Sequence, residues 1–231
     1  YDAAMTSSAP AATPFAAVIF DLDGVLVDSE PWWDEVRVAF ATNHGRPWTE
    51  EDRAAVMGPN SLGWARIMRE RLDLDMPVEE ILRAVVDGVV TRYRDRPAPV
   101  IDGAPDAVRR IAGRHPVAVA SSAHREVIDA ALEALDLRDV LDIVVSSDEV
   151  DHGKPAPDVY LEAARRLGAS PSRCLVVEDS LNGVRAGRAA GMTVVLVPSA
   201  LVPPAPGAAE LADHVIERLA DLVPANLAPP A

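Results

Sequence analysis

Ala16-Ala17-Val18-Ile19-Phe20-Asp21-Leu22-Asp23-Gly24-Val25-Leu26-Val27-Asp28-Ser29 is the stretch from which the rest of the chain is read. An apolar run stopped by two acids and a glycine predicts a short buried strand that ends in a turn. Comparable runs recur at Val117–Ala120, Ile143–Val145, Cys174–Val177 and Thr193–Val197, with His214–Ile216 as a short edge strand. Helical patterns fall between them: Asp106–Gly113, Arg125–Leu135, Asp158–Leu167 stopped by Gly168, and Leu181–Ala190 stopped by Gly191. Short strands that are apolar throughout, alternating with helices, predict an α/β fold whose parallel sheet is covered on both faces.

From Ser29 to about Pro97 the alternation stops. This interval has no convincing strand but three helical patterns, Pro31–Thr42, Leu62–Leu72 and Val78–Arg92. Ser29 is placed to cap the first, with Pro31 in its first turn, where a missing N–H costs little. The expected organisation is therefore a Rossmann-like core over 16–28 and 98–231, with an α-helical cap inserted over 29–97. Residues 1–15 read as a flexible N-terminal tail, and Pro198–Gly207 as a loop rich in proline and alanine. Met5 reads as the natural start, with Tyr1–Ala4 added ahead of it.

Composition narrows the function classes. The 231 residues are 49% hydrophobic and 25% charged, which is globular. A net charge of −14 argues against nucleic acid, because phosphate neutralisation needs a basic surface. No apolar run approaches the roughly 20 residues of a spanning helix, so no membrane partner is expected. The single cysteine, Cys174, permits neither an intrachain disulfide nor a cysteine-based zinc cluster, and it reads as a core residue. Without an export signal the cytoplasm is the expected compartment, and the chain is expected as a monomer or weak homo-oligomer. Of 22 basic residues 21 are Arg, which fits a GC-rich genome; Lys154 is the exception.

In open parallel sheets, reactive groups sit just past the carboxyl ends of the strands. Asp21 and Asp23 follow the first strand, Ser121 and Ser122 the second, the loop carrying Lys154 the third, and Glu178 and Asp179 the fourth. One rim thus receives acids, hydroxyls and an amine. Asp21, Glu178 and Asp179 suit a hard divalent cation such as Mg²⁺, which takes oxygen ligands and relieves the repulsion among clustered acids. Gly183-x-x-x-Gly187 reads as close packing of a helix.

These residues carry a resemblance. Phe20–Ser29 resembles the first signature of the haloacid dehalogenase superfamily. Ala120-Ser121-Ser122, Gly153-Lys154-Pro155-Ala156-Pro157 and Glu178-Asp179-Ser180-Leu181-Asn182-Gly183 resemble the second, third and fourth, in order. The insertion point resembles the subgroup with a helical cap, which includes sugar-phosphate phosphatases and β-phosphoglucomutase. The resemblance implies a Mg²⁺-dependent phosphatase acting on a small phosphorylated metabolite through an aspartyl-phosphate. In it Asp21 is the nucleophile and Asp23 the general acid and base. Mg²⁺ is held by Asp21, the Asp23 carbonyl, Glu178 and Asp179, while Ser121, Ser122 and Lys154 bind phosphate. Two alternatives stand beside it, a mutase resembling β-phosphoglucomutase and a non-catalytic phosphoester-binding domain. The mutase subgroup carries a His near Trp33 and an Arg near Ser61, and this chain departs at both. Specificity is expected from Trp33, from Asn60 and Ser61 in the Gly58–Ser61 loop, and from His124 near the rim.

Overall fold

In the computed structural model, which describes residues 14–57, 59–199 and 203–229, the five apolar runs form strands of one parallel sheet. They are β1 (Ala17–Phe20), β2 (Val117–Ser121), β3 (Ile143–Ser146), β4 (Cys174–Glu178) and β5 (Thr193–Leu196). His214–Val215 adds a two-residue β6, and the order across the sheet is β3-β2-β1-β4-β5-β6. The strands are apolar throughout because both faces are covered. Val18, Phe20, Val119, Leu175, Val177 and Val195 point into one apolar cluster. Their neighbours Ala17, Ile19, Ala118, Val176 and Val194 point into another.

Helices close both faces. Those after β1 are α1 (Glu30–Asn43), α2 (Glu50–Ala55), α3 (Ser61–Arg71), α4 (Val78–Asp95) and α5 (Ala104–Ala112). Further along lie α6 (Arg125–Ala134), α7 (Asp158–Leu167), α8 (Leu181–Ala189) and α9 (Ala208–Leu211). Residues of α5 and α6 pack on the first face, and those of α7, α8 and α9 on the second. Helix α2 is absent from the sequence reading: it is six residues long, too short for an apolar stripe. Its capping box, Thr49 with Asp52, is the local signal that marks it.

Helices α1, α3 and α4 share the first apolar cluster with the sheet through Trp33, Val36, Met68, Ile81, Val85 and Val89. Arg83 of α4 donates two hydrogen bonds to the Glu126 carboxylate of α6, both of 2.9 Å. The backbone N–H of Ser61 donates to Asp148 Oδ1 at 3.2 Å. Phe15, read as the end of a flexible tail, is instead 1% exposed in the first cluster, because its ring adds apolar area beside β1. Residues 1–13 of that tail lie outside the described residues, as does Gly58, the first residue of the loop expected to set specificity. No helix of the described residues is long and apolar enough to cross a membrane.

The close packing read from Gly183-x-x-x-Gly187 holds at its second glycine. A Cβ on Gly187 would lie 2.7 Å from Val194 Cγ2 and 3.4 Å from Val176 Cγ1, so α8 rests directly on the sheet. Gly187→Ala should therefore lower unfolding free energy by about 1–3 kcal/mol. Gly113→Ala is the control: its φ is −65° and a Cβ there meets nothing closer than 3.6 Å. That change should be neutral or stabilise by about 0.4–1 kcal/mol. Urea midpoints at constant m decide the matter, and equal midpoints for the two variants would refute the packing account.

Candidate active site

Strands β1 and β4 are neighbours, with Phe20 paired to Val177, and the Asp21 N–H donates to the Val177 carbonyl at 2.9 Å. Asp21 and Glu178 therefore leave adjacent strands side by side. The chain runs outward to β2 and β3 on one side of β1 and returns to β4 on the other. This reversal opens a crevice at the strand ends. The turn after β1 is bound tightly to the loop after β4. Gly24 has φ +80°, and a Cβ on it would lie 1.9 Å from Asp179 Oδ2. Only glycine meets both the backbone conformation and the approach of Asp179.

Lys154 sits between the two strand ends. Its Nζ is 2.8 Å from Asp21 Oδ1 and 2.6 Å from Glu178 Oε1, and 4.8 Å from the centre of the Tyr160 ring. The Tyr160 hydroxyl donates to Glu178 Oε1 at 2.6 Å. The other oxygen, Glu178 Oε2, accepts from the Asp179 N–H at 3.0 Å, and from the Ser180 N–H and hydroxyl at 3.1 Å each. Glu178 is wholly buried yet accepts five hydrogen bonds, so burying its charge is compensated. A Cβ on Gly183 would fall 1.7 Å from Glu178 Oε1, so that glycine makes room for the carboxylate, and of this pair Gly187 is the one that serves helix packing.

The electrostatics are unbalanced in one direction. Burial pushes the Asp21 carboxyl up to about 7, with the Lys154 ammonium pulling it back and Glu178 pushing it further. Asp179 is pushed up to about 9, by burial first and then by the charges of Glu178 and Asp21. Burial works against the Lys154 ammonium, but Asp21 and Glu178 outweigh it and hold its pKa above the usual value. Burial likewise opposes the charge on Glu178. Lys154, Tyr160 and the Ser180 N–H prevail, and its pKa lies below the ordinary carboxylate value. Asp21, Glu178 and Asp179 each offer an oxygen, all within 4.8 Å of one another. Two carboxylates driven toward protonation by burial first and by neighbouring carboxylates second fit a hard divalent cation, which would let both ionise. Glu178 differs from the other two: five donors already fill a carboxylate with about four lone-pair sites.

Asp23 lies at the turn beside this cluster. Burial raises its pKa, against a hydrogen bond from the Ser29 hydroxyl to Asp23 Oδ1. Ser29 was expected to cap α1; it stands at the N-cap but makes no side-chain capping bond, because its hydroxyl is committed to Asp23.

A cavity of about 450 Å³ opens over these groups, lined by Asp21, Asp23, Ser122, Lys154 and Asp179 on the sheet side and by Trp33, Arg37 and Trp64 from α1 and α3. Ser199 and Pro203–Ala205 of the proline-rich loop close its rim. Ser121 ends β2, 1% exposed, with its Oγ accepting the Ala123 N–H at 3.0 Å; Ser122 is the serine that faces the cavity. Trp33 lines the cavity. Asn60, Ser61 and His124 do not, and this corrects the expectation that they face substrate. Asn60 caps α3 by accepting the Gly63 N–H at 3.0 Å, Ser61 is fully buried, and His124 Nδ1 caps α6 by accepting from Glu126 N–H. Capping chemistry places the Asn60 and His124 side chains along the backbone of their own helices, and burial in the first turn of α3 takes Ser61 out of the cavity.

Sequence reasoning missed Tyr160, Ser180 and Arg37. Ser180 carried a signal, since it precedes the α8 pattern as an N-cap should, and it caps Gly183 at 3.0 Å as well as binding Glu178. Tyr160 and Arg37 look in sequence like ordinary helix residues.

The family model for haloacid dehalogenase-like hydrolases matches residues 15–191. The chain belongs to that family. The fructose-1-phosphate phosphatase YqaB of Escherichia coli (strain K12) is 33% identical over 183 residues, covering 78% of this chain and 95% of that protein. A bifunctional riboflavin kinase/FMN phosphatase of Arabidopsis thaliana is 31% identical over 219 residues. That match covers 90% of this chain and 54% of that protein, so the chain spans about half its length. CbbY from Rhodobacter sphaeroides in complex with phosphate shares the fold at TM-score 0.79 and 23% identity, covering 92% of this chain and 100% of that one.

Tyr160→Phe removes one donor from a buried, ionised acceptor and leaves the ring in place. It should lower unfolding free energy by about 1.5–3 kcal/mol, read from urea denaturation near pH 7. An unchanged midpoint would show that Glu178 does not depend on the Tyr160 hydroxyl.

Proposed function

We propose that the chain is a Mg²⁺-dependent phosphatase that hydrolyses a small phosphomonoester, a sugar or polyol phosphate, through an aspartyl-phosphate. The observation that supports this most is the placement of Asp21. It lies at a strand end in the cavity, one oxygen bonded to Lys154, with Asp23 two residues on and Asp179 against the same turn. The similarity to the fructose-1-phosphate phosphatase supports the substrate class.

In this reading Asp21, Asp179 and the carbonyl of Asp23 hold Mg²⁺. Glu178 acts from behind them, fixing Lys154 and the loop of Asp179 and Ser180. When bound, the cation neutralises charge on the phosphoryl oxygens and keeps Asp21 and Asp179 ionised. The Asp21 oxygen not bonded to Lys154 attacks phosphorus. The bond to the leaving oxygen breaks, and that oxygen takes a proton from Asp23, whose buried setting favours the protonated form. Asp23, now ionised, removes a proton from water; the hydroxide displaces Asp21 from phosphorus and inorganic phosphate leaves. Ser122 and Lys154 steady the phosphoryl oxygens, Lys154 as a compact charge, while Ser121 holds the loop behind them through the Ala123 N–H. Helices α1–α4 act as a cap that admits substrate and excludes bulk water. The cytoplasm fits this metabolite chemistry.

A panel of phosphomonoesters scored for phosphate release tests the reading. Release should require Mg²⁺, stop with chelator, and stop with Asp21→Asn. Retained activity in that variant would remove Asp21 as nucleophile. β-Glucose 1-phosphate belongs in the panel: isomerised product without phosphate would select the mutase, and no turnover of any ester would select a binding domain. Lys154→Arg should lower kcat by about 10²-fold or more while the fold persists, because a planar fork cannot occupy the space between Asp21 and Glu178. Activity near wild type with an unchanged melting temperature would refute this role for Lys154.

A further inference from the structure

The wall of the cavity opposite the acidic cluster is built from one stripe of α1. Glu30, Trp33 and Arg37 are spaced i, i+3 and i+7, so they share a face of the helix, and Trp64 of α3 stands across from them. The Arg37 guanidinium carbon lies 5.1 Å from the Trp33 ring centre and 5.7 Å from that of Trp64, and the two indoles meet edge to face at 6.1 Å. Arg37 is only 6% exposed, and its Nη1 donates to Glu30 Oε1 at 3.3 Å. Its Nε is buried with no hydrogen-bond partner among the described residues. An arginine serving packing alone has its N–H groups paired, because a buried donor without an acceptor is costly. Here the unpaired donor belongs to a side chain that lines the cavity.

We propose that Arg37, with Glu30, Trp33 and Trp64, forms the subsite for the leaving group of the substrate, and that it selects a neutral polyhydroxylated group over one bearing a second anionic group. The inference rests on the phosphatase reading. The Arg37 guanidinium supplies donors, the Glu30 carboxylate an acceptor, and the indoles apolar faces for a hydroxylated carbon chain. A second phosphate is poorly served. Five acidic residues stand among the described lining residues, against Lys154 and Arg37. Lys154 is committed to Asp21 and Glu178, and Arg37 is already paired with Glu30, which a second phosphate would have to face.

The test compares kcat/KM for a hexitol monophosphate, fructose 1,6-bisphosphate and 4-nitrophenyl phosphate, whose leaving group has no hydroxylated chain. The wild type should prefer the hexitol monophosphate over the bisphosphate by at least tenfold. In the charge-balanced double variant Glu30→Gln, Arg37→Met, the ratio of kcat/KM for hexitol phosphate to that for 4-nitrophenyl phosphate should fall at least tenfold, chiefly through KM. Arg37→Lys keeps the charge beside Glu30 but lacks the Nε donor. It should lower the same ratio at least fivefold, and it carries the test should the double variant not fold. Preference for the bisphosphate, or equal losses on both monoesters in the variants, would overturn the subsite. If the wild type releases phosphate from no ester, the phosphatase reading falls and the subsite with it; release indifferent to these substitutions overturns the subsite alone.

Discussion

The Lys154 ammonium, buried between the Asp21 and Glu178 carboxylates, is the contact on which the geometry of the site depends. Two adjacent parallel strands deliver acids to one point, and in the absence of a cation their charges would drive the strand ends apart. Lys154 bridges them from the loop after β3, so three distant parts of the chain are fixed by one side chain. Losing one partner of such a group would leave the others as uncompensated buried charges. The five hydrogen bonds on Glu178 serve the same end. They hold a carboxylate ionised in a fully buried position, and that anion in turn keeps Lys154 charged.

The cluster remains short of positive charge even so. Asp179 and Asp21 are pushed toward protonation by burial, and neighbouring carboxylates push them further. This deficit is the physical ground for expecting a divalent cation, and it matches the chemistry of a phosphoryl group, which also brings negative charge to the same place. The sheet end is thus built for the part of a substrate that phosphomonoesters share. The opposite wall, with its indoles and the Glu30–Arg37 pair, has the chemistry to distinguish what phosphomonoesters do not share.

Much of this was legible in the chain. The strand at Ala17–Phe20 shows as an apolar run because both its faces are covered, and the acids that follow must lie at its carboxyl end. Asp21, Lys154, Glu178 and Asp179 were found because strand-end chemistry has a fixed address in an open parallel sheet. The misassignments share a cause. Ser29, Asn60 and His124 each stand at a helix N-cap, and at such a place sequence cannot tell whether a polar side chain serves the backbone or the cavity. Asn60 and His124 were given to the cavity and serve the backbone; Ser29 was given to the backbone and serves Asp23.

By itself, then, the sequence determined the parallel sheet, the run of helices after β1 and the acids and lysine at the strand ends. Those features follow from local period and strand-end position, which are written in neighbouring residues. Only the tertiary structure decided that Tyr160 reaches Glu178, that Gly183 lies under a carboxylate, and that Arg37 is buried between two indoles with one donor unpaired. Each of these depends on an approach between elements far apart in the chain, where packing and desolvation, rather than local pattern, set what a side chain meets.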